Sequence, residues 1–320
     1  MTAPLALVRN DSQSRHQADG HPERPARVTA ILERIAAEPH LRSLPWLVPE
    51  RASRDLPLLV HDPEEVERVE GMAVRGGGWF DPDTYCTASS YDVALDAAAC
   101  AARAVDAVVA GEARCVFAVI RPPGHHATAF RPMGFCLFNN AAIAVRRALR
   151  DGAARVAVVD FDVHHGNGTQ DIFNHAPEVL YTSVHQHPWY PGTGVEEDRG
   201  GAGAVGATVN VPVPAGTDGT AWLQRFDSSI APAIDEFRPD LIVVSAGYDA
   251  HAVDPLAELG LTEATYRAIA ERVRRLAERH CAGRSVWTLE GGYDLDALAA
   301  SIAAQLTVLA APEPAAAHSV

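Results

Sequence analysis

The sequence predicts one doubly wound α/β domain over residues 1–320, with a central, mainly parallel sheet of about eight strands. Three observations carry this. Short runs rich in Val, Ile and Leu alternate with longer amphipathic stretches through most of the chain. The runs are continuously apolar, as strands buried on both faces are, rather than alternating as half-exposed strands are. No internal repeat and no composition break marks a linker.

In chain order, "LALVRN" reads as a first strand. "HPERPARVTAILERIAAE" follows as a helix, with Val28, Ile31, Leu32 and Ile35 at i, i+3, i+4 and i+7 and prolines at its entrance. "SSYDVALDAAACAARAVDAVVAG" is an Ala-rich helix that a serine can cap and Gly111 can end. Five buried strands come next: "RCVFAVI", "RVAVVDFD", "EVLYTSVH", "LIVVSAG" and "SVWTLEGG". The helices "NNAAIAVRRALRDG", "GTAWLQRFDSSIAPAIDEF" and "TEATYRAIAERVRRLAERHC" separate most of them, and "ATVNVPVP" adds an edge strand. "GTGVEEDRGGAGAVGA" is a Gly-rich loop, and residues 311–320 read as a frayed tail.

The formal net charge of -14, from 27 Lys plus Arg against 41 Asp plus Glu, comes with no run of basic residues. That argues against a nucleic-acid or anionic-membrane partner. Five scattered cysteines without C-x-x-C spacing read as free thiols in a reducing compartment. With no signal segment and no apolar stretch of membrane-spanning length, the expected location is the cytoplasm. Oligomeric state is not legible.

Ligands of doubly wound folds bind at the carboxyl ends of the parallel strands, so the residues there matter most. After "CVFAVI" come His125 and His126; after "RVAVV" comes "DFDVHHGNG", with Asp160, Asp162, His164, His165 and Asn167. His185, Asp249 and Tyr293 end three further strands. Asp162 and His164 are two residues apart, so an extended chain points both to one face and lets one segment give two ligands to one ion. Asp160 shares that face, where a buried carboxylate needs a partner or a cation. Asp249 supplies a third ligand. Two Asp and one His with a position left open fit a catalytic Zn²⁺ site; Fe²⁺ or Co²⁺ accepts the same set. A solvated turn is the bland alternative.

Two carboxylates neutralise a divalent cation and weaken it as a Lewis acid, so amide hydrolysis needs a general base and a general acid besides. His125 and His126 are the candidates, with Asp160 and Asn167 as partners for their other ring nitrogens. A carboxylate partner raises one imidazole pKa and an Asn partner leaves the other lower, which splits the roles. Tyr293, on a Gly-Gly turn, is placed to stabilise an oxyanion.

The chain resembles the zinc-dependent histone deacetylase family, particularly the bacterial and eukaryotic class II deacetylase-like amidohydrolases. "RPPGHHA", "GFCLFNNAAIA", "DFDVHHGNGTQDIF", "NVPVPAGTDG", "SAGYDAHAVDPL" and "EGGYD" occur in the family's order, from about residue 20 to residue 298. The resemblance implies an arginase/deacetylase-like fold and a metal-dependent deacetylase of bacterial type. It implies Asp162, His164 and Asp249 as zinc ligands, His125 and His126 as the tandem histidines backed by Asp160 and Asn167, and Tyr293 as the transition-state tyrosine. Asn167 is the class II form of its position, and Tyr293 stands where a nearly inactive subset has His. Gly134, Phe135 and Tyr190 match the substrate tunnel, with Tyr for the usual Phe at the last; Leu256 matches the class II rim residue. A structural K⁺ or Na⁺ is implied at Asp160, Ser183 and the backbone of Asp162, His164 and Val184.

The implied reaction removes acetyl groups from acetyl-lysine of peptides or proteins. A related reading is an acetylpolyamine or other small N-acyl amine deacetylase, which the acidic composition favours, although the rim Glu of the polyamine-preferring member is absent at Leu256. An arginase-like binuclear manganese enzyme needs D-x-H-x-D, and Gly166 breaks that pattern. A non-catalytic acetyl-lysine reader is the reading of another class, against which the retained Tyr293 and both histidines argue. His165, His185, His187 and His251 read as structural. His16 and His21 lie in a loop able to rim the site, and Asp81 and Asp83 either bond a substrate backbone or form a solvated turn.

Overall fold

The computed structural model describes residues 2–49 and 51–312, so residues 313–320 of the expected tail lie outside it. The chain runs β1 (Ala3–Arg9), α1 (Ala26–Ala37), β2 (Trp46–Leu47), α2 (Pro63–Val74), β3 (Gly77–Trp79), β4 (Tyr85–Thr87), α3 (Ser90–Val109), β5 (Ala113–Val119) and α4 (Asn140–Arg150). It continues through β6 (Val156–Asp160), α5 (Asn167–Phe173), β7 (Val179–Gln186), β8 (Thr208–Val213), α6 (Gly219–Arg225), α7 (Ala231–Phe237), β9 (Leu241–Ala246), α8 (Glu263–Cys281), β10 (Ser285–Leu289) and α9 (Leu295–Ala310).

Eight strands form one sheet in the order β2-β1-β5-β10-β9-β6-β7-β8, every pair parallel; β3 and β4 form a separate antiparallel pair. Alternate residues of the six inner strands, β1, β5, β10, β9, β6 and β7, enter two different cores. Phe117 and Val119 of β5 pack with Val28 and Ile31 of α1 and with residues of α8 and α9, whereas Val116 and Ala118 pack with α3 and α4. This two-sided burial is why the strands read as unbroken apolar runs. All five cysteines are free and buried.

Three expectations need correction. The segment read as one helix over 219–237 is α6 and α7 joined by a wider turn, Phe226–Ile230. Pro232 has no N–H to give the carbonyl four residues back, which disrupts the regular ladder there. Ser89 makes no side-chain cap on α3; its neighbour Ser90 accepts the Thr87 N–H instead. The helices α2, α5 and α9 were not anticipated. The start of α2 is capped by Asp62, whose side chain accepts the Glu64 N–H, with Pro63 in the first turn.

Candidate active site

The chain skips two places in the sheet between β5 and β6, and β9 and β10 later fill them. The four central strands β5, β10, β9 and β6 therefore come from distant parts of the sequence, and their carboxyl ends meet. The β5 end leads to His125 and His126, and β6 to Asp160, Asp162 and His164. β9 leads to Asp249, and β10 to Glu290, Gly291 and Tyr293.

One ligand atom each from Asp162, His164 and Asp249 lies within 4.8 Å of the others. His164 Nδ1 is 3.1 Å from Asp162 Oδ1 and 3.1 Å from Asp249 Oδ2. Backbone N–H groups fix the other carboxylate oxygens: Gly291 donates to Asp162 Oδ2 at 2.8 Å, and Val163 to Asp249 Oδ1 at 3.0 Å. Backbone crowds the cluster so closely that a Cβ on Gly247 would overlap Asp162 Oδ2, and one on Gly291 would overlap Asp249 Oδ2.

The electrostatics suit a cation. Asp160, Asp162 and Asp249 are essentially fully buried. Burial opposes charge on His164, but the Asp162 and Asp249 carboxylates outweigh it and push its imidazole up to about 10. Burial likewise opposes ionisation of Asp162, yet His125 and His164 hold its carboxyl far below the usual range. Burial and the Asp162 charge raise Asp249. An imidazole gripped between two buried carboxylates is doing a cation's work, and two oxygens and one nitrogen so converged fit a divalent metal.

The tandem histidines stand beside this cluster with ring centroids 4.0 Å apart and unlike partners. His125 Nδ1–H donates to Asp160 Oδ2 at 3.0 Å, and the same oxygen accepts the Tyr181 hydroxyl at 3.3 Å. His126 Nδ1–H donates to Asn167 Oδ1 at 2.8 Å. Burial disfavours charge on His125, but Asp162 and Asp160 reverse this and push it up to about 10. Burial, then the His125 charge, hold His126 well below the ordinary imidazole range. The surroundings thus favour the charged form of one ring and the neutral form of its neighbour.

Sequence reasoning missed Glu290. Its Oε2 accepts the N–H groups of Gly124 at 2.6 Å and His125 at 3.1 Å, so it braces the turn carrying both histidines. Burial pushes its carboxyl up to about 7. The available signal was an acid closing the apolar run "SVWTLE", where a strand end should deliver a polar group inward. Arg27 was also missed. Its Nε donates to Gly292 O at 2.6 Å, and its guanidinium lies 4.9 Å over the Tyr293 ring. Burial pushes the Tyr293 hydroxyl well above its usual pKa, so it stays protonated.

A cavity of about 370 Å³ opens onto these groups, lined among others by Gly134, Phe135, Tyr190, Leu256, Tyr293 and the unanticipated Trp189. Gly134 has φ +56, and a Cβ there would overlap the His126 ring. Phe135 meets the Tyr293 ring edge-on at 5.8 Å, and Tyr190 meets His126 at 5.1 Å. Ser183 and Val184 lie on β7, with Ser183 paired in register to Asp160.

The remaining residues divide. His165 bonds Thr193 and Gln170, and His185 bonds Ser183 and Gly194 O, away from the cavity lining. His187 and His251 do not line the cavity. His16 stacks on Tyr85, while His21 packs on Phe135 and bonds Asp83 O at 3.0 Å. Asp81 turns back onto the Asp83 and Thr84 N–H groups, and Asp83 reaches the cavity lining.

The family model for the histone deacetylase domain matches residues 21–309. The chain is 42% identical over 283 residues to a histone deacetylase-like amidohydrolase of Pseudomonas aeruginosa, covering 86% of this chain and 73% of that one. It is 41% identical over 293 residues to a probable deacetylase of Archaeoglobus fulgidus, covering 91% and 81%. A relative from Arabidopsis thaliana, histone deacetylase 14, chloroplastic, is 42% identical over 313 residues and covers 90% and 72%. The solved HDA15 HD domain superposes with a TM-score of 0.91 at 35% identity, covering 97% of this chain and 89% of that one. This family is metal-dependent, in keeping with the Asp/His/Asp cluster. A match along most of the chain, joined to the same fold, means that the chain belongs to the histone deacetylase family and is a hydrolase of the deacetylase kind.

Proposed function

We propose that this protein is a zinc-dependent amidohydrolase that removes acetyl groups from acetyl-lysine side chains. The observation that carries the reading is the histidine pair, one ring bonded to a carboxylate and the other to an amide, set against the Asp162, His164 and Asp249 cluster at the foot of an aromatic-lined cavity. Those three residues would hold Zn²⁺, which when bound supplies Lewis acidity and lowers the pKa of water. The acyl-lysine methylenes pass Gly134 and the rings of Phe135 and Tyr190, which exclude water. Neutral His126 takes the proton of the attacking water. Charged His125, its proton held by Asp160, gives one to the departing amine. The Tyr293 hydroxyl donates to the carbonyl oxygen as charge develops there. Asp160, Ser183 and the carbonyls of Asp162, His164 and Val184 would bind a K⁺ or Na⁺ behind the site. Residues 1–320 act as one catalytic unit, and the expected setting is the cytoplasm of a bacterium-like source.

A second reading, acetylpolyamine deacetylation, draws on the Asp83 carboxyl at the cavity mouth and the net charge of -14. The test is hydrolysis of an acetyl-lysine peptide beside N-acetylputrescine at matched concentrations by the metal-replete protein. Preference for the peptide supports the first reading, preference for the amine the second. Tyr293→Phe should lower turnover by a factor of roughly a hundred with zinc content intact, by analogy with loss of one oxyanion donor; unchanged turnover removes Tyr293 from its role.

A further inference from the structure

Asp254 lies outside the cavity lining, is 7% exposed and is bonded entirely to main chain among the described residues. Its Oδ2 accepts the N–H of Tyr293 at 2.7 Å and of Asp294 at 3.3 Å. Its Oδ1 accepts the N–H of Leu256 at 3.0 Å. Among the described residues no guanidinium, ammonium or imidazole is bonded to it; burial, and then the Asp249 charge, push its carboxyl up to about 7. A carboxylate kept buried at that cost, with three N–H groups as its sole compensation, fixes the segments that own them.

Those segments belong to different strands. Leu256 stands on the rim loop after β9, and Tyr293 on the turn after β10. The connection extends outward, because the Trp189 indole N–H donates to Leu256 O at 3.0 Å. Trp189 is 36% exposed at the cavity mouth. One path of hydrogen bonds and main chain thus runs from the mouth through Trp189, the C=O and N–H of Leu256 and the Asp254 carboxylate to the Tyr293 backbone. From the other side Arg27 holds Gly292 O and covers the Tyr293 ring, so the turn is gripped at a carbonyl and at an N–H.

We propose that Asp254 is a positioning residue that locks the Tyr293 turn to the Leu256–Trp189 rim, so that the mouth and the tyrosine hydroxyl are set as one rigid piece. This rests on the role proposed for Tyr293. It predicts that loosening Asp254 harms the step Tyr293 serves rather than substrate capture.

The experiment is a double-mutant cycle on the full-length, metal-replete protein with an acetyl-lysine peptide and N-acetylputrescine, paired with hydrogen exchange of the backbone amides. Asp254→Asn keeps the shape but replaces one acceptor oxygen by a donor. It should lower kcat about tenfold with KM within a factor of two. Its effect should vanish when Tyr293 is already Phe, since both changes then remove the same interaction. Amide exchange at Tyr293 and Asp294 should quicken in Asp254→Asn while β9 and β10 keep wild-type protection. An equal loss of kcat in the Tyr293→Phe background, or unchanged exchange at these two amides, overturns the proposal. If wild-type protein hydrolyses neither substrate, the functional reading fails separately, and the exchange result alone decides whether Asp254 locks the turn.

Discussion

At the scale of residues, buried histidines differ in what their surroundings ask of them. His61 sits deep in the fold, with Nδ1–H donating to Thr128 O at 2.9 Å and Nε2 accepting the Asn139 N–H at 2.9 Å. Both nitrogens are used only by the neutral ring, and burial lowers its pKa to about 4. The unfolded chain binds this proton at about 6.5 and the folded chain only near 4, so acid favours unfolding. This contribution is whole above about pH 6.5 and declines as pH falls toward 4, by about 2 kcal/mol at about pH 5. Denaturant titrations should accordingly show stability falling less steeply with acid for His61→Gln than for wild type; parallel pH profiles would refute the assignment. A different cost attaches to Arg121, which is fully buried and grips Glu23, with the second oxygen contacted at 2.6 Å. Arg121→Met leaves Glu23 with Arg27 at 3.2 Å as its remaining guanidinium, beside the Tyr85 hydroxyl at 3.4 Å, and should cost about 3–5 kcal/mol, read as a lowered melting temperature.

At the scale of elements, short turns beyond the strand ends do more than the strands themselves. Gly291 follows β10 and passes so close to Asp249 and Asp162 that it has no room for a methyl group. Gly291→Ala should therefore give a folded protein that takes up substoichiometric zinc, measured by metal analysis after dialysis; full occupancy would show that the turn yields. Turns are also where the sequence shows some of the converging residues and hides others. His125, Asp162, His164 and Asp249 were legible because continuous apolar runs mark buried parallel strands, and a polar residue at such an end has one place to go. Glu290 was not, because a single acid inside "TLEGG" looks like the end of a strand until the fold shows the His125 N–H above it. Nor could Trp189 be assigned, since its partner is a backbone carbonyl 67 residues away, which carries no residue signature. The helices α2 and α9 went unread for opposite reasons. The first is half polar, with four glutamates in its twelve residues, whereas the second is apolar on nearly every face and largely buried, so no period stands out.

At the scale of the whole molecule, the sheet is held at its centre by groups that repel one another. Asp160, Asp162 and Asp249 occupy adjacent central strand ends, and a divalent cation would relieve them. Chelation should then lower the melting temperature even without substrate, with return of the metal restoring it, because binding to the folded state alone adds to stability. A melting temperature indifferent to chelator would mean that the imidazoles of His125 and His164 already neutralise the cluster.

The order in which the sheet is filled bears on how the protein is born. A ribosome releases β1, β5, β6, β7 and β8 before β9 and β10, yet the late pair takes the middle of the sheet. The nascent chain must keep a slot two strands wide open or unpaired for as long as translation takes. His125 meets its brace Glu290 across 165 residues of chain, so closure is a late and non-local event, of the kind that slows folding. Until that insertion, the histidines face neither Asp249 from the β9 end nor Tyr293 from the β10 end, so on the function proposed above a half-made chain carries no premature hydrolase.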